Sequence, residues 1–155
     1  MIMTAGERET RAREYFRQGY NCCQSVAMAF CDVLGLDEKK TAELTSGFGG
    51  GMGRLREVCG AFSAMTFVAG ALSPAADPRI MSDRAENYAL VQKFALEFRQ
   101  RNGSIICREL LNLRAGQKES PVPSERTGAY YHSRPCEDMV GCAASILAQE
   151  LQNIK

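Results

Sequence analysis

Residues 59–73 read CGAFSAMTFVAGALS, fifteen positions without one charged side chain. Small or apolar residues fall on every side of a helical wheel, so the stretch predicts a helix buried all round. Such a helix belongs at the centre of a bundle, and its neighbours read accordingly. On the N-terminal side, ERETRAREYFRQGYN (7–21) places Ala12, Tyr15 and Phe16 on one face and stops at Gly19. Its arginines Arg8, Arg11, Arg13 and Arg17 alternate with acids and predict a solvated face. Asn21 suits the N-cap of one helix through CCQSVAMAFCDVLG (22–35), ended by Gly35, and Asp37 starts a short one.

On the C-terminal side, Asp83 and Glu86 make a D-x-x-E start for RAENYALVQKFALEFRQRNG (84–103). Tyr88, Val91, Phe94, Ala95 and Phe98 recur there at helical spacing, and Gly103 stops it. SIICRELLN (104–112) predicts a short helix capped by Ser104, and LRAGQKESPVPSERTGAYYHS (113–133) a long surface loop. The last segment, 134–154, carries Met139, Val140, Ala143, Ile146, Leu147 and Leu151 on one face, with Pro135 in its first turn. No strand alternation, repeat or linker interrupts the series. The expected architecture is all-α: one domain over residues 1–155, a bundle of about six or seven helices around the apolar one.

Composition narrows the function. Nineteen basic against eighteen acidic residues leave a net charge of +1, which argues against a nucleic-acid partner. No run approaches the ~20 apolar residues of a membrane span, and no apolar signal region opens the chain. The expectation is a cytoplasmic protein. Seven cysteines are then unusual, because a reducing compartment disfavours permanent disulfides. Redox chemistry or metal binding becomes the leading reading. The plainer alternative is that several are small buried hydrophobes.

Position sorts these thiols. Cys22, Cys59, Cys107 and Cys136 each fall at the start of an expected helix, whereas Cys31 and Cys142 fall inside helices and Cys23 lies one residue further in than Cys22. Free N–H groups and partial positive charge at a helix start favour thiolate. The effect is worth ~0.3–1 kcal/mol, enough for about one pKa unit at most. Arg54 and Arg56 would add to it if they fold back, and a bound metal would do far more. The chain has no C-x-x-C, and without C-x-x-C-H it has no attachment site for covalent haem. A shared site would draw its four ligands from four separate elements.

The glycine loop GFGGGMGR (47–54) lacks both the G-x-G-x-x-G register and a Gly-Lys-Ser/Thr ending, so nucleotide binding is not expected. It reads as a tight connection that lets backbone approach the thiols. Amides of Gly49, Gly50, Gly51 and Gly53 are candidates to donate to cluster sulfur or a bound anion. His132 reads as a solvated loop histidine.

The segments GYNCCQSVAMAF, SGFGGGMGRLREVCGAFSA, NGSIICRELL and RPCEDMVGCAASIL resemble, in order, those of the C_GCAxxG_C_C family of redox-active proteins, over about Tyr15 to Leu151. The family cysteines then fall on Cys22, Cys59, Cys107 and Cys136. Ala64 stands where the signature has glycine, Cys23 where alanine is usual, and Cys142 in GCAAS echoes the signature text by coincidence. A related domain in split-Soret cytochromes implies proximity to electron transfer. The resemblance implies a small helical protein working in electron or thiol chemistry with an unidentified redox partner. Four thiolates would suit an iron–sulfur cluster, or would cycle between dithiol and disulfide. The alternative is a non-enzymatic module with a Cys-zinc site. Apolar residues around GAYYHS (128–133) suit a homodimer contact.

Overall fold

The computed structural model describes residues 3–114 and 116–154. The helices are α1 (Ala5–Arg17), α2 (Cys22–Met28), α3 (Cys31–Leu34), α4 (Glu38–Thr45), α5 (Gly60–Leu72), α6 (Met81–Asn102), α7 (Cys107–Leu110), α8 (Gly128–Ser133) and α9 (Cys136–Ile154). Among the described residues there is no strand, only one antiparallel bridge between Val58 and Ile106. No described helix is long and apolar enough to cross a membrane.

The helix ends follow local chemistry. Thr4 and Glu7 form a reciprocal capping box on α1, Asn21 and Gln24 do the same on α2, and the Asp37 carboxylate accepts from the Lys40 amide. Gly35 and Gly103 close α3 and α6 in the left-handed conformation. Around α5, whose Ala61, Ala64, Met65, Val68 and Ala69 are completely buried, pack α2, α6 and α9. Val26 and Ala27 come from α2, Phe94 and Phe98 from α6, and Val140, Ala143 and Leu147 from α9, all buried. Alanines on α5 admit these neighbours closely, and Ala64 is one of them. Outside this layer α1 lies along α9, burying Ala12 and Phe16.

Several expectations are corrected. The helix expected across 22–34 breaks at Ala29–Phe30, where the amides turn back to Val26 and Ala27 rather than continuing the α ladder. The cause is Arg8, which is not solvated but 1% exposed. Its Nη1 donates to the Ala29 carbonyl at 2.9 Å, its guanidinium pairs with both Asp32 carboxylate oxygens at 2.9 Å, and it stacks on the Phe30 ring at 4.6 Å. Cys31 therefore begins α3 instead of lying inside α2. Arg13, half-buried, and Arg17, exposed as expected, reach Glu137 and Asp138 and tie α1 to the start of α9. The helix expected to start at Asp83 begins at Met81, and Ser104 receives the Ile106 amide instead of capping α7. The long loop contains α8, capped by Thr127, so His132 is helical.

Arg8→Ala is expected to cost about 2 kcal/mol, because it strands the Ala29 carbonyl. Arg11→Ala, on the exposed side, is expected to stay within about 0.5 kcal/mol. Urea midpoints measure both. Asp32 is held below the usual carboxylate range by the hydrogen bond from Arg8, so this contribution persists above that range and is lost as pH falls through the lowered value.

Candidate thiol site

Cys22, Cys107 and Cys136 are the first residues of α2, α7 and α9, and Cys59 caps α5. All four line one cavity of about 350 Å³. Cys59 and Cys107 are buried, Cys22 and Cys136 half-buried. Cys23, Cys31 and Cys142 do not line it: Cys23 is sealed in the core, Cys31 lies beside Thr41, and Cys142 accepts from Asn102.

Backbone contacts gather the helix starts. At the Val58–Ile106 bridge, the Cys59 amide donates to the Ile105 carbonyl at 2.7 Å and the Cys107 amide to that of Glu57 at 2.6 Å. Cys59 and Cys107 thus hang from one two-residue ladder. Gly60 lets α5 meet α2, since a Cβ there would stand 3.0 Å from the Phe48 carbonyl and 3.2 Å from Cys22 Cβ. The Asn21 side chain, besides capping α2, donates to the Ser46 carbonyl at 2.9 Å, joining α2 to the segment entering the glycine turn.

That turn is the tight connection its composition predicts. Gly50, Gly51, Met52, Gly53, Arg54 and Arg56 all have positive φ. The decisive glycine is Gly51, at φ +68°, where a Cβ would lie 2.6 Å from Cys107 Cβ and 2.8 Å from both Arg56 Cα and the Glu57 amide. Left-handed backbone at two arginines is unusual and costly. It brings both guanidiniums to the cavity wall. Arg56 reaches Cys107 Sγ at 3.8 Å and Glu119 at 3.0 Å, while Arg54 holds Glu119, the Ser120 carbonyl and the Ser124 hydroxyl. The polar segment 119–124 is thereby pinned over the cavity, which Pro121 and Pro123 help to line.

The family model described as "Putative redox-active protein (C_GCAxxG_C_C)" matches residues 20–150. The chain belongs to this cysteine-rich, redox-active family. No curated protein and no solved structure matches it.

In this C_GCAxxG_C_C protein two of the cavity's four arginines were not expected there: Arg126, read as part of a surface loop, and Arg134, read as the head of the last helical segment. Arg126 stacks on Phe16 at 4.4 Å and on Tyr130 at 4.9 Å, donating to the Phe16 and Tyr20 carbonyls at 3.0 Å. Arg134 stacks on the same Tyr130 ring at 4.9 Å. Neither forms an ion pair among the described residues. The interleaving of Arg126, Tyr130, Tyr131 and Arg134 was the available signal.

The expectation that helix starts would lower every thiol pKa is corrected. Burial pushes Cys59 up to about 12 despite the opposing amides of Phe62 and Ala61, and it also raises Cys107 against the pull of Arg56. Desolvation of a buried charge outweighs a helix end worth ~1 kcal/mol. Cys136 alone goes the other way, to about 7: a hydrogen bond with Cys22 favours its thiolate, and Arg134, Arg126 and Arg56 add to that against burial. The same hydrogen bond holds Cys22 well above the ordinary thiol range. Of the two neighbouring thiols, Cys136 is the one favoured to ionise and Cys22 the one that stays protonated.

Among the described residues, no three His, Cys, Asp or Glu side chains are grouped so that they could hold a metal ion. As a donor set, four thiols around one cavity have the chemistry of a cluster's ligand shell. His132 lies away from the cavity.

Alkylation of Cys136 by iodoacetamide is expected to speed up as pH rises through about 7 and to level off above it. Cys22→Ala removes the hydrogen-bond donor and should move that inflection up by about one pH unit. Mass spectrometry of the Cys136 peptide measures both.

Proposed function

We propose that this protein carries electron pairs as a dithiol–disulfide couple, with Cys136 as the attacking thiolate and Cys22 as the thiol that closes the disulfide. The observation that carries the reading is geometric: both thiols line one cavity with Arg54, Arg56, Arg126 and Arg134 in its wall, and no Asp or Glu lines it among the described residues. A thiolate with pKa near ambient pH combines population with nucleophilicity. A disulfide substrate accepts the two electrons as the two sulfurs join, and the one remaining thiol proton, on Cys22, is given up. Cys59 and Cys107, held as thiols by burial, line the same cavity.

A second reading, an iron–sulfur cluster on Cys22, Cys59, Cys107 and Cys136, is favoured by one observation. Arg56 Nη2 is buried beside these thiols without a hydrogen-bond partner, a vacancy that suits an anionic core. Such a cluster would supply one-electron transfer. The arginines would then balance the ligand charge, and the Gly49–Gly53 turn would bring backbone amides close to it.

Protein purified anaerobically and titrated against thiol–disulfide buffer is expected to lose two thiols reversibly, mapping to Cys22 and Cys136. Cys136→Ser should abolish that couple, and Cys59→Ser and Cys31→Ser should preserve it. Visible absorbance with iron and labile sulfide, lost in Cys59→Ser, would overturn the dithiol reading in favour of the cluster. Stoichiometric zinc without a reversible disulfide would replace both with a structural zinc module.

A further inference from the structure

Resting on the dithiol reading, we infer that the couple's substrate is a low-molecular-weight disulfide carrying negative charge, held by Arg134 and Arg126 while Cys136 attacks it. The charge balance of the cavity points there. Arg54, Arg56, Arg126 and Arg134 all line it, and among the described residues no Asp or Glu does. Glu119, just behind the wall, pairs with Arg54 and Arg56. Four guanidiniums therefore meet one carboxylate, and one thiolate still leaves two positive charges without a counterpart. Over the whole chain the net charge is only +1, so this excess is a local property of the site.

A second observation is Arg56 itself, 4% exposed, with Nη2 unpartnered beside the thiols. Its field adds to that of the two stacked arginines and is little screened at such depth. Size agrees as well. A cavity of about 350 Å³ lies at the small-molecule end of ligand sites. Leu110, Leu111, Pro123 and Met139 give it an apolar wall for the carbon skeleton of a ligand.

The chemistry balances without a further reagent. Cys136 thiolate attacks one sulfur of the substrate, the substrate S–S bond breaks, and half of it leaves as a thiolate. Cys22 passes its proton to that departing sulfur and attacks Cys136, so the mixed disulfide breaks and the second half leaves as a thiolate. The substrate gains two electrons and becomes two thiols, one still ionised, while the protein is left with a Cys22–Cys136 disulfide.

The test is rapid-mixing kinetics of the fully reduced chain with glutathione disulfide (anionic), hydroxyethyl disulfide (neutral) and cystamine (cationic). Each rate is divided by that of the same disulfide with free mercaptoethanol, which removes intrinsic reactivity. The anionic reagent is expected to lead the neutral one by about tenfold or more, with cystamine slowest. The lead should shrink in about 0.5 M salt. In Arg134→Gln, which sacrifices no hydrogen bond of the fold, the anionic-to-neutral ratio should fall toward one. Arg126→Gln should do the same where circular dichroism shows it folded. Equal normalised rates, or a preference that survives Arg134→Gln, would overturn the substrate assignment, while the dithiol reading stands if the neutral reagent still forms the Cys22–Cys136 disulfide. If no reagent forms it, both fall.

Discussion

The site depends on a two-residue ladder. Where Val58 and Ile106 run antiparallel, the amides of Cys59 and Cys107 are committed to carbonyls on the opposite segment, and two helices must start side by side. Gly60 and Gly51 then let the start of α2 and the left-handed turn close against that pair without any Cβ between them. Cys136 arrives from a separate direction, at the end of α9 that Arg13 and Arg17 tether to α1. Sulfurs more than a hundred residues apart in sequence reach one cavity because backbone pairing sets Cys59 and Cys107 and side-chain ion pairs hold the helix start that carries Cys136.

Within the cavity two opposing effects divide the labour. Burial keeps Cys59 and Cys107 protonated, while the neighbouring Cys22 thiol, with Arg134, Arg126 and Arg56, keeps Cys136 acidic. The proposed couple needs both effects: four desolvated thiols would be inert, and four exposed thiolates would repel one another. Stacking Arg126 and Arg134 on Tyr130 places positive charge beside Cys136 without a carboxylate to cancel it.

Much of this was legible in the chain. Asn21, Asp37, Gly35 and Gly103 act locally, so the element ends they mark are where their chemistry says. The charge-free run of α5 is buried on one side only, with Thr66, Gly70 and Ala71 exposed, which corrects the expectation of a helix buried all round. Sorting cysteines by helix position selected the four that line the cavity. The failures share one cause, long-range partners. Arg8 looks like its surface neighbours until Ala29, Phe30 and Asp32 are folded onto it, and it then breaks a helix whose own residues gave no stop. Arg126 sat in a stretch rich in proline and polar residues and Arg134 at the head of the last segment, and only the fold shows that the rings and carbonyls around Arg126 come from α1, Tyr20 and α8. The thiol acidities were misjudged because depth, which sequence does not display, outweighs a helix end.

The clasp of Arg54 and Arg56 on Glu119 carries a consequence for how the cavity behaves in changing surroundings. Hydrogen bonding from Arg56 holds the Glu119 carboxyl below its ordinary range, so this acid stays ionised across the whole interval in which Cys136 gains or loses its proton. The cationic scaffold and the proline-bearing strap it secures are consequently insensitive to neutral acidity. A shift of pH near neutrality would act on sulfur alone, inside a frame that does not move with it.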